Sequence, residues 1–152
     1  MNETQSILLV EDNDDDAELT RMAFAEARIA NPIIRASPGT GALDYLFGRG
    51  EFRARDISDL PAVILLDLKL PGGVDGIDVL KAVRAHPHTR HLPVVVLTSS
   101  DEETDRLAAY EQYANSYVLK PVDYDQFVSA SHQLGLYWID LNRPAPRKTI
   151  RE

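Results

Sequence analysis

The sequence predicts an α/β fold, a doubly wound five-stranded parallel sheet with helices on both faces. Three observations carry this expectation. Short apolar runs rich in Val, Ile and Leu alternate with stretches whose apolar residues recur at helical spacing. Two of the runs, Ala62–Leu66 and Pro93–Thr98, are too continuously apolar for strands with one wet face, so helices must cover both sides. Four of the five runs end in polar groups, where an open parallel sheet binds its ligands.

The elements follow in order. The first strand is expected over Ser6–Val10 and ends in Glu11 and Asp12. Asn13 to Asp16 can cap the next helix, whose first-turn acids suit the helix dipole and whose apolar face carries Leu19, Met22, Ala23 and Ala27. Asn31–Pro32 should break it. A weak second strand, Ile33–Ala36, stops at Pro38–Gly39, and Thr40 is placed to cap a short helix bearing Leu43, Leu46 and Phe47. Gly48 to Leu60 shows neither period and is long for a connection. It reads as a solvated charged loop or as an insertion suited to a partner.

The third strand ends in Asp67. After PGGVDG, the residues Ile77, Leu80, Lys81 and Arg84 open an amphipathic helix that closes near His86–Pro87. His86, His88 and His91 flank that proline in a polar stretch and read as solvated loop histidines rather than metal ligands. The fourth strand ends in Thr98, with Ser100 or Asp101 available to cap a helix marked by Leu107, Tyr110 and Ala114. Ser116–Leu119 is a short fifth strand ending in Lys120–Pro121. Phe127, Ala130, Leu134 and Trp138 mark a last helix, with Val128, Leu136 and Ile139 on its other faces. A helix apolar on several faces must be covered, which suggests a dimer contact. Residues 1–140 are expected to form one domain and 141–152 a loose basic tail, holding Arg143, Arg147, Lys148 and Arg151.

Composition narrows the function. The 152 residues suffice for one domain with a full core. The net charge of −8 opposes nucleic-acid binding. With no cysteine, thiol catalysis, disulfides and thiolate-ligated metals are excluded. The N-terminus lacks a signal-peptide pattern and no apolar run reaches membrane-spanning length, so a cytoplasmic location without membrane association is expected.

Parallel strands would gather Glu11, Asp12, Asp67, Thr98 and Lys120 on one edge of the sheet. Three close carboxylates raise one another's pKa values unless a cation intervenes, and an all-oxygen set suits Mg²⁺ rather than zinc. A carboxylate can itself be a nucleophile and form an aspartyl phosphate, while metal, ammonium and hydroxyl stabilise the oxygens of a transferring phosphoryl group.

The segments ILLVEDN, ILLDLKLP, Asp75–Gly76, VVVLTSS and YVLKP, in this order, resemble the receiver domain of two-component response regulators over about residues 5–140. The resemblance implies the flavodoxin-like strand order 2-1-3-4-5. It implies Asp67 as phosphoacceptor, and Glu11 and Asp12 as the acids holding Mg²⁺, Asp12 more directly. The backbone carbonyl of Lys69 would coordinate the same ion. Thr98 and Lys120 would contact the phosphoryl group, Tyr117 would be the switch aromatic, and Lys120–Pro121 would be cis. Such a protein is not an enzyme beyond its own phosphotransfer and autodephosphorylation.

The charged stretch Gly48–Leu60, HPHTRHLPVVVLTSS and LGLYWIDLNRP further resemble stand-alone regulators of phytochrome-type histidine kinases. That implies a sensor histidine kinase as partner and a homodimer through the last helix and its neighbours. Two other readings are a pseudo-receiver binding module and an aspartate-nucleophile phosphohydrolase. Lys69 stands where the latter usually carries a second acid. One departure from the family lies between Pro71 and Asp75, where three residues, Gly72, Gly73 and Val74, replace the usual two.

Overall fold

The apolar runs become the strands. The computed structural model describes residues 5–146, in which β1 (Ile7–Val10), β2 (Ile33–Ala36), β3 (Val63–Leu66), β4 (Val94–Thr98) and β5 (Ser116–Leu119) form one parallel sheet in the order β2-β1-β3-β4-β5. Between and after them come α1 (Asp14–Glu26), α2 (Gly39–Phe47), α3 (Gly76–Ala85), α4 (Glu103–Glu111) and α5 (Tyr124–Gly135). The expected fold class and strand order are both found. Of the expected basic tail, residues 147–152 lie outside the described part. No helix among the described residues is long and apolar enough to cross a membrane.

The strand period of two sorts the core into two layers. Leu8, Val10, Ile64, Leu66, Val94 and Val96 pack with α2 and α3 residues such as Leu46, Leu80 and Val83. Ile7, Leu9, Val63, Leu65 and Val95 face the other way, against Ala23 and Phe24 of α1 and Ile139 beyond α5. The central strands β1, β3 and β4 are buried throughout, so register is tightly specified: a slip by one residue would exchange the two layers.

Several local expectations change. Helix α1 starts as expected, with Asn13 accepting from the Asp16 amide at 2.9 Å, but ends at Glu26, short of Asn31–Pro32. Arg28 follows at φ 61, a left-handed turn that reverses the chain early. Thr40 lies inside α2, whose N-cap is Pro38. Neither Ser100 nor Asp101 is the N-cap residue of α4, which is Glu102, although the Ser100 hydroxyl lies 3.4 Å from the Glu102 amide. The last helix changes pitch at Leu136 into a π-helical turn, Leu136–Leu141, and this swings Ile139 into the core while Leu136, Tyr137 and Leu141 stay exposed.

The long connection after α2 is packed rather than simply solvated. It contains a 3-10 turn, Gly50–Phe52, with Phe52 edge-on to Tyr45 and the Arg55 guanidinium 3.8 Å from the Tyr45 ring centre. His86 and His88 are half-buried against Phe47, contrary to the solvated reading, and only His91 of the three is exposed. The Lys120–Pro121 bond, expected cis, is trans, and the cis peptide among the described residues is Ser37–Pro38. The preference of an X–Pro bond for trans is only about 0.5–1 kcal/mol, so the sequence does not select the isomer.

Candidate functional site

The register delivers the site. Val10 stands opposite both Ala36 and Leu66, so Glu11 and Asp67, one residue on, leave the sheet level with each other. The ladder continues through their backbones, with the Asp67 amide bonded to Val10 O at 3.0 Å and the Glu11 amide to Ala36 O at 3.1 Å. On the other side Thr98 pairs with Leu119, and the Lys120 amide donates to Thr98 O at 2.7 Å. The side chains are thus aimed by strands fixed in the core.

Lys120 is the hub. Its ammonium lies 2.8 Å from Glu11 Oε1, 2.9 Å from Asp16 Oδ2 and 3.0 Å from Asp67 Oδ2. Glu11, Asp67 and the Lys120 side chain are buried, whereas Asp12 is exposed at the mouth. Burial pushes the Glu11 carboxyl up to about 7 despite its bond to Lys120. Burial also acts to lower the Lys120 pKa, but the bonds from Glu11 and Asp16 and the charges of Glu11 and Asp67 outweigh it and hold the group above the ordinary lysine value.

Glu11, Asp12 and Asp67 offer carboxylate oxygens all within 4.8 Å of one another. Against these and Asp16 there is one ammonium, so negative charge is in excess. The donor set is all oxygen, which fits a hard divalent cation and gives no support for zinc. The remaining Asp67 oxygen, Oδ1, accepts from the Lys69 amide at 3.3 Å. This bond orients the carboxylate and draws the loop after β3 under it.

That loop depends on glycine at two places. A Cβ on Gly76 would lie 2.3 Å from Asp67 O and 2.6 Å from Leu68 Cα, so only glycine lets the start of α3 rest on the backbone of the acid. Gly72 and Gly73 both adopt φ 87, which absorbs the additional loop residue before Asp75. Asp75 then caps α3 reciprocally with Asp78, fixing the loop's far end.

Thr98 is fully buried, and its Oγ1 accepts from the Ser100 amide at 3.3 Å. Tyr117 is half-buried and donates its hydroxyl to Ser100 O at 2.8 Å. Burial moves the Tyr117 pKa up against that bond. Ser100 therefore joins the two residues through its own backbone. The Lys69 side chain turns outward to Asp105 of α4 at 3.1 Å, leaving only its backbone beside Asp67.

The structure brings together Glu11, Asp12, Asp67 and Lys120, with Thr98 next to Lys120 on the neighbouring strand. Sequence reasoning missed Asp16, which resembles its neighbours Asp14 and Asp15 in spacing and chemistry. It also found no role for the second strand, yet Arg35 there donates to Glu11 O at 3.0 Å and pairs with Asp14 at 2.7 Å. The alternation of polar Arg35 within an apolar strand was the available signal.

A doubly wound sheet with an acid cluster, a buried lysine and a hydroxyl at the carboxyl ends of β1, β3, β4 and β5 defines a receiver domain. The chain belongs to that family, since the response regulator receiver domain model matches residues 7–132. Its relatives include phytochrome response regulators. Rcp1 of Synechocystis sp. is 33% identical over 139 residues, covering 91% of this chain and 92% of Rcp1. The Mn²⁺-bound structure of Rcp1 aligns with a TM-score of 0.86, at 31% identity over 93% of this chain and 99% of the other. The phosphorylated cyanobacterial phytochrome response regulator RcpA also aligns with a TM-score of 0.86, at 30% identity over 94% and 99% of the two chains. The bacteriophytochrome response regulator RtBRR is 50% identical over 94% of this chain and 85% of its own, with a TM-score of 0.73.

Proposed function

We propose that this receiver accepts a phosphoryl group on Asp67 from a phosphohistidine of a sensor kinase of the phytochrome type. The observation that carries the reading is the buried contact of Lys120 with Asp67 and Glu11 beside an all-oxygen cation cluster. An Asp67 oxygen attacks phosphorus, the bond from phosphorus to the donor imidazole nitrogen breaks, and the imidazole leaves with the electron pair. Mg²⁺ would be held by Glu11, Asp12, Asp67 and the Lys69 carbonyl, and would supply positive charge for the phosphoryl oxygens.

Lys120 balances the same charge with its ammonium and Thr98 donates its hydroxyl to the new group. As Thr98 turns to the phosphoryl group, its link to the Ser100 amide changes. Tyr117, bonded to Ser100 O, repacks with it. The protein is not an enzyme beyond this phosphotransfer and its own dephosphorylation.

Residues 1–140 act as the receiver in the cytoplasm, followed by a basic tail over 141–152, with no nucleic-acid or membrane partner. Output passes through a homodimer formed by the last helix and its neighbours, supported by exposed apolar residues at both ends of α5, Val122 and Tyr124 at its start and Leu136, Tyr137 and Leu141 beyond its end. Phosphotransfer from autophosphorylated phytochrome-type kinases tests the pairing. Label should pass to this chain within minutes in Mg²⁺ and fail in chelator. Equal transfer from unrelated histidine kinases would remove the phytochrome assignment.

A further inference from the structure

Lys120 is gripped by more acid than the proposed chemistry uses. An ammonium has three N–H donors, and here each has its own carboxylate: Glu11, Asp67 and Asp16. Glu11 and Asp67 belong to the cation cluster with Asp12, and Asp16 stands outside it. Asp16 lies in the first turn of α1 with its backbone held on both sides. Its amide donates to Asn13 Oδ1 at 2.9 Å and its carbonyl accepts from Thr20 Oγ1 at 2.9 Å. Its neighbours serve elsewhere, because Asp14 pairs with Arg35 and Asp15 is exposed.

We propose that Asp16 is a positioning residue for Lys120, anchoring the ammonium beside Asp67 from outside the cation-binding acids. The proposal rests on the receiver reading and adds a device within it. Glu11 and Asp67 hold Lys120 and would also hold a divalent cation, so the two positive charges draw on the same carboxylates. A lysine held by those two acids only would therefore oppose the cation directly. Asp16 gives Lys120 a partner that the cation does not claim. The ammonium stays at the site, and the N–H donors freed from Glu11 and Asp67 become available to the oxygens of a phosphoryl group on Asp67. The carboxylate charge of Asp16, carried on a capped helix, does this without moving the strands.

A double-mutant cycle with Lys120 separates this role from simple loss of negative charge. Mg²⁺ affinity is measured by calorimetry and uptake from acetyl phosphate by intact mass, in wild type, Asp15→Asn, Asp16→Asn, Lys120→Gln and the Asp16→Asn/Lys120→Gln pair, with Lys120→Met replacing Lys120→Gln should that variant not fold. Asp16→Asn should weaken Mg²⁺ binding and slow uptake by about tenfold, while Asp15→Asn changes each by less than about twofold. In the Lys120→Gln background, Asp16→Asn should leave Mg²⁺ affinity within about twofold. Equal loss in both backgrounds, or no loss in the wild-type background, would overturn the proposal. A wild-type protein that takes up no phosphoryl group in Mg²⁺ would instead sink the receiver chemistry, whatever Asp16 does.

Discussion

The two ends of the sheet each hold one cationic hub, and they are built oppositely. At the amino end, Arg84 donates to Tyr113 O, Arg90 O, Leu92 O and Asn115 Oδ1, at 2.7 to 3.1 Å. Asn115 in turn accepts from the Val94 amide at 2.7 Å, so the hub ties the starts of β4 and β5. All five guanidinium N–H groups are used and every acceptor is neutral. Burial lowers the Arg84 pKa with no carboxylate to oppose it.

At the carboxyl end, Lys120 has three acceptors and all are acids. Negative charge is in surplus there, which suits a cation. The same act, a cationic side chain collecting oxygens, makes a staple when the oxygens are neutral and leaves a surplus that suits a cation when they are acids.

Four changes probe this contrast. The largest effect is expected at the backbone of the carboxyl end. Gly76→Ala forces a Cβ into Asp67 O and should lower stability by about 3 kcal/mol or more in urea melts, with loss of Mg²⁺ binding. Next is Arg84→Met, which leaves carbonyls at the amino end without donors and should cost about 2–3 kcal/mol in the same melts. Its Mg²⁺ affinity should not change. A changed affinity would join the two hubs and dissolve the contrast.

The third concerns pH. Glu11 has a folded pKa of about 7 against an ordinary 4.5, so the folded state binds more protons than the unfolded one between these values. Metal-free stability should therefore fall as pH rises from about 4.5 to 7. With Glu11 as a Mg²⁺ ligand, as proposed, the ion needs it ionised, and affinity should drop by up to about tenfold per pH unit below about 7, as one proton competes. Calorimetric titrations at several pH values check this, and a flat profile would place Glu11 outside the cation site. The smallest effect is Tyr117→Phe, which removes the bond to Ser100 O and should cost about 1 kcal/mol or less, leaving Mg²⁺ affinity unchanged.

The carboxyl end was readable because strand ends are fixed by apolar runs, and parallel pairing then places Glu11, Asp67, Thr98 and Lys120 along one edge. Asp16 was not readable. Three consecutive acids open α1, and which of them faces Lys120 depends on how that helix is rotated against the sheet, a property of packing rather than of spacing. The Arg84 hub escaped for a related reason, since its partners are mostly backbone carbonyls that no side-chain pattern reveals. The Gly48–Leu60 stretch has no period, so the stacking of Arg55 on Tyr45 was invisible in it. The turn of Ile139 into the core comes from a change of helical pitch at Leu136 that apolar spacing does not encode.

With surplus acid at the carboxyl end, Asp67 is the proposed phosphoacceptor. Intact-mass measurement after incubation with acetyl phosphate and Mg²⁺, on wild type and Asp67→Asn, tests it most directly. One phosphoryl adduct is expected on the wild type, removed by hydroxylamine as an acyl phosphate is, and none on Asp67→Asn. An equal adduct on Asp67→Asn, or one that survives hydroxylamine, would contradict it.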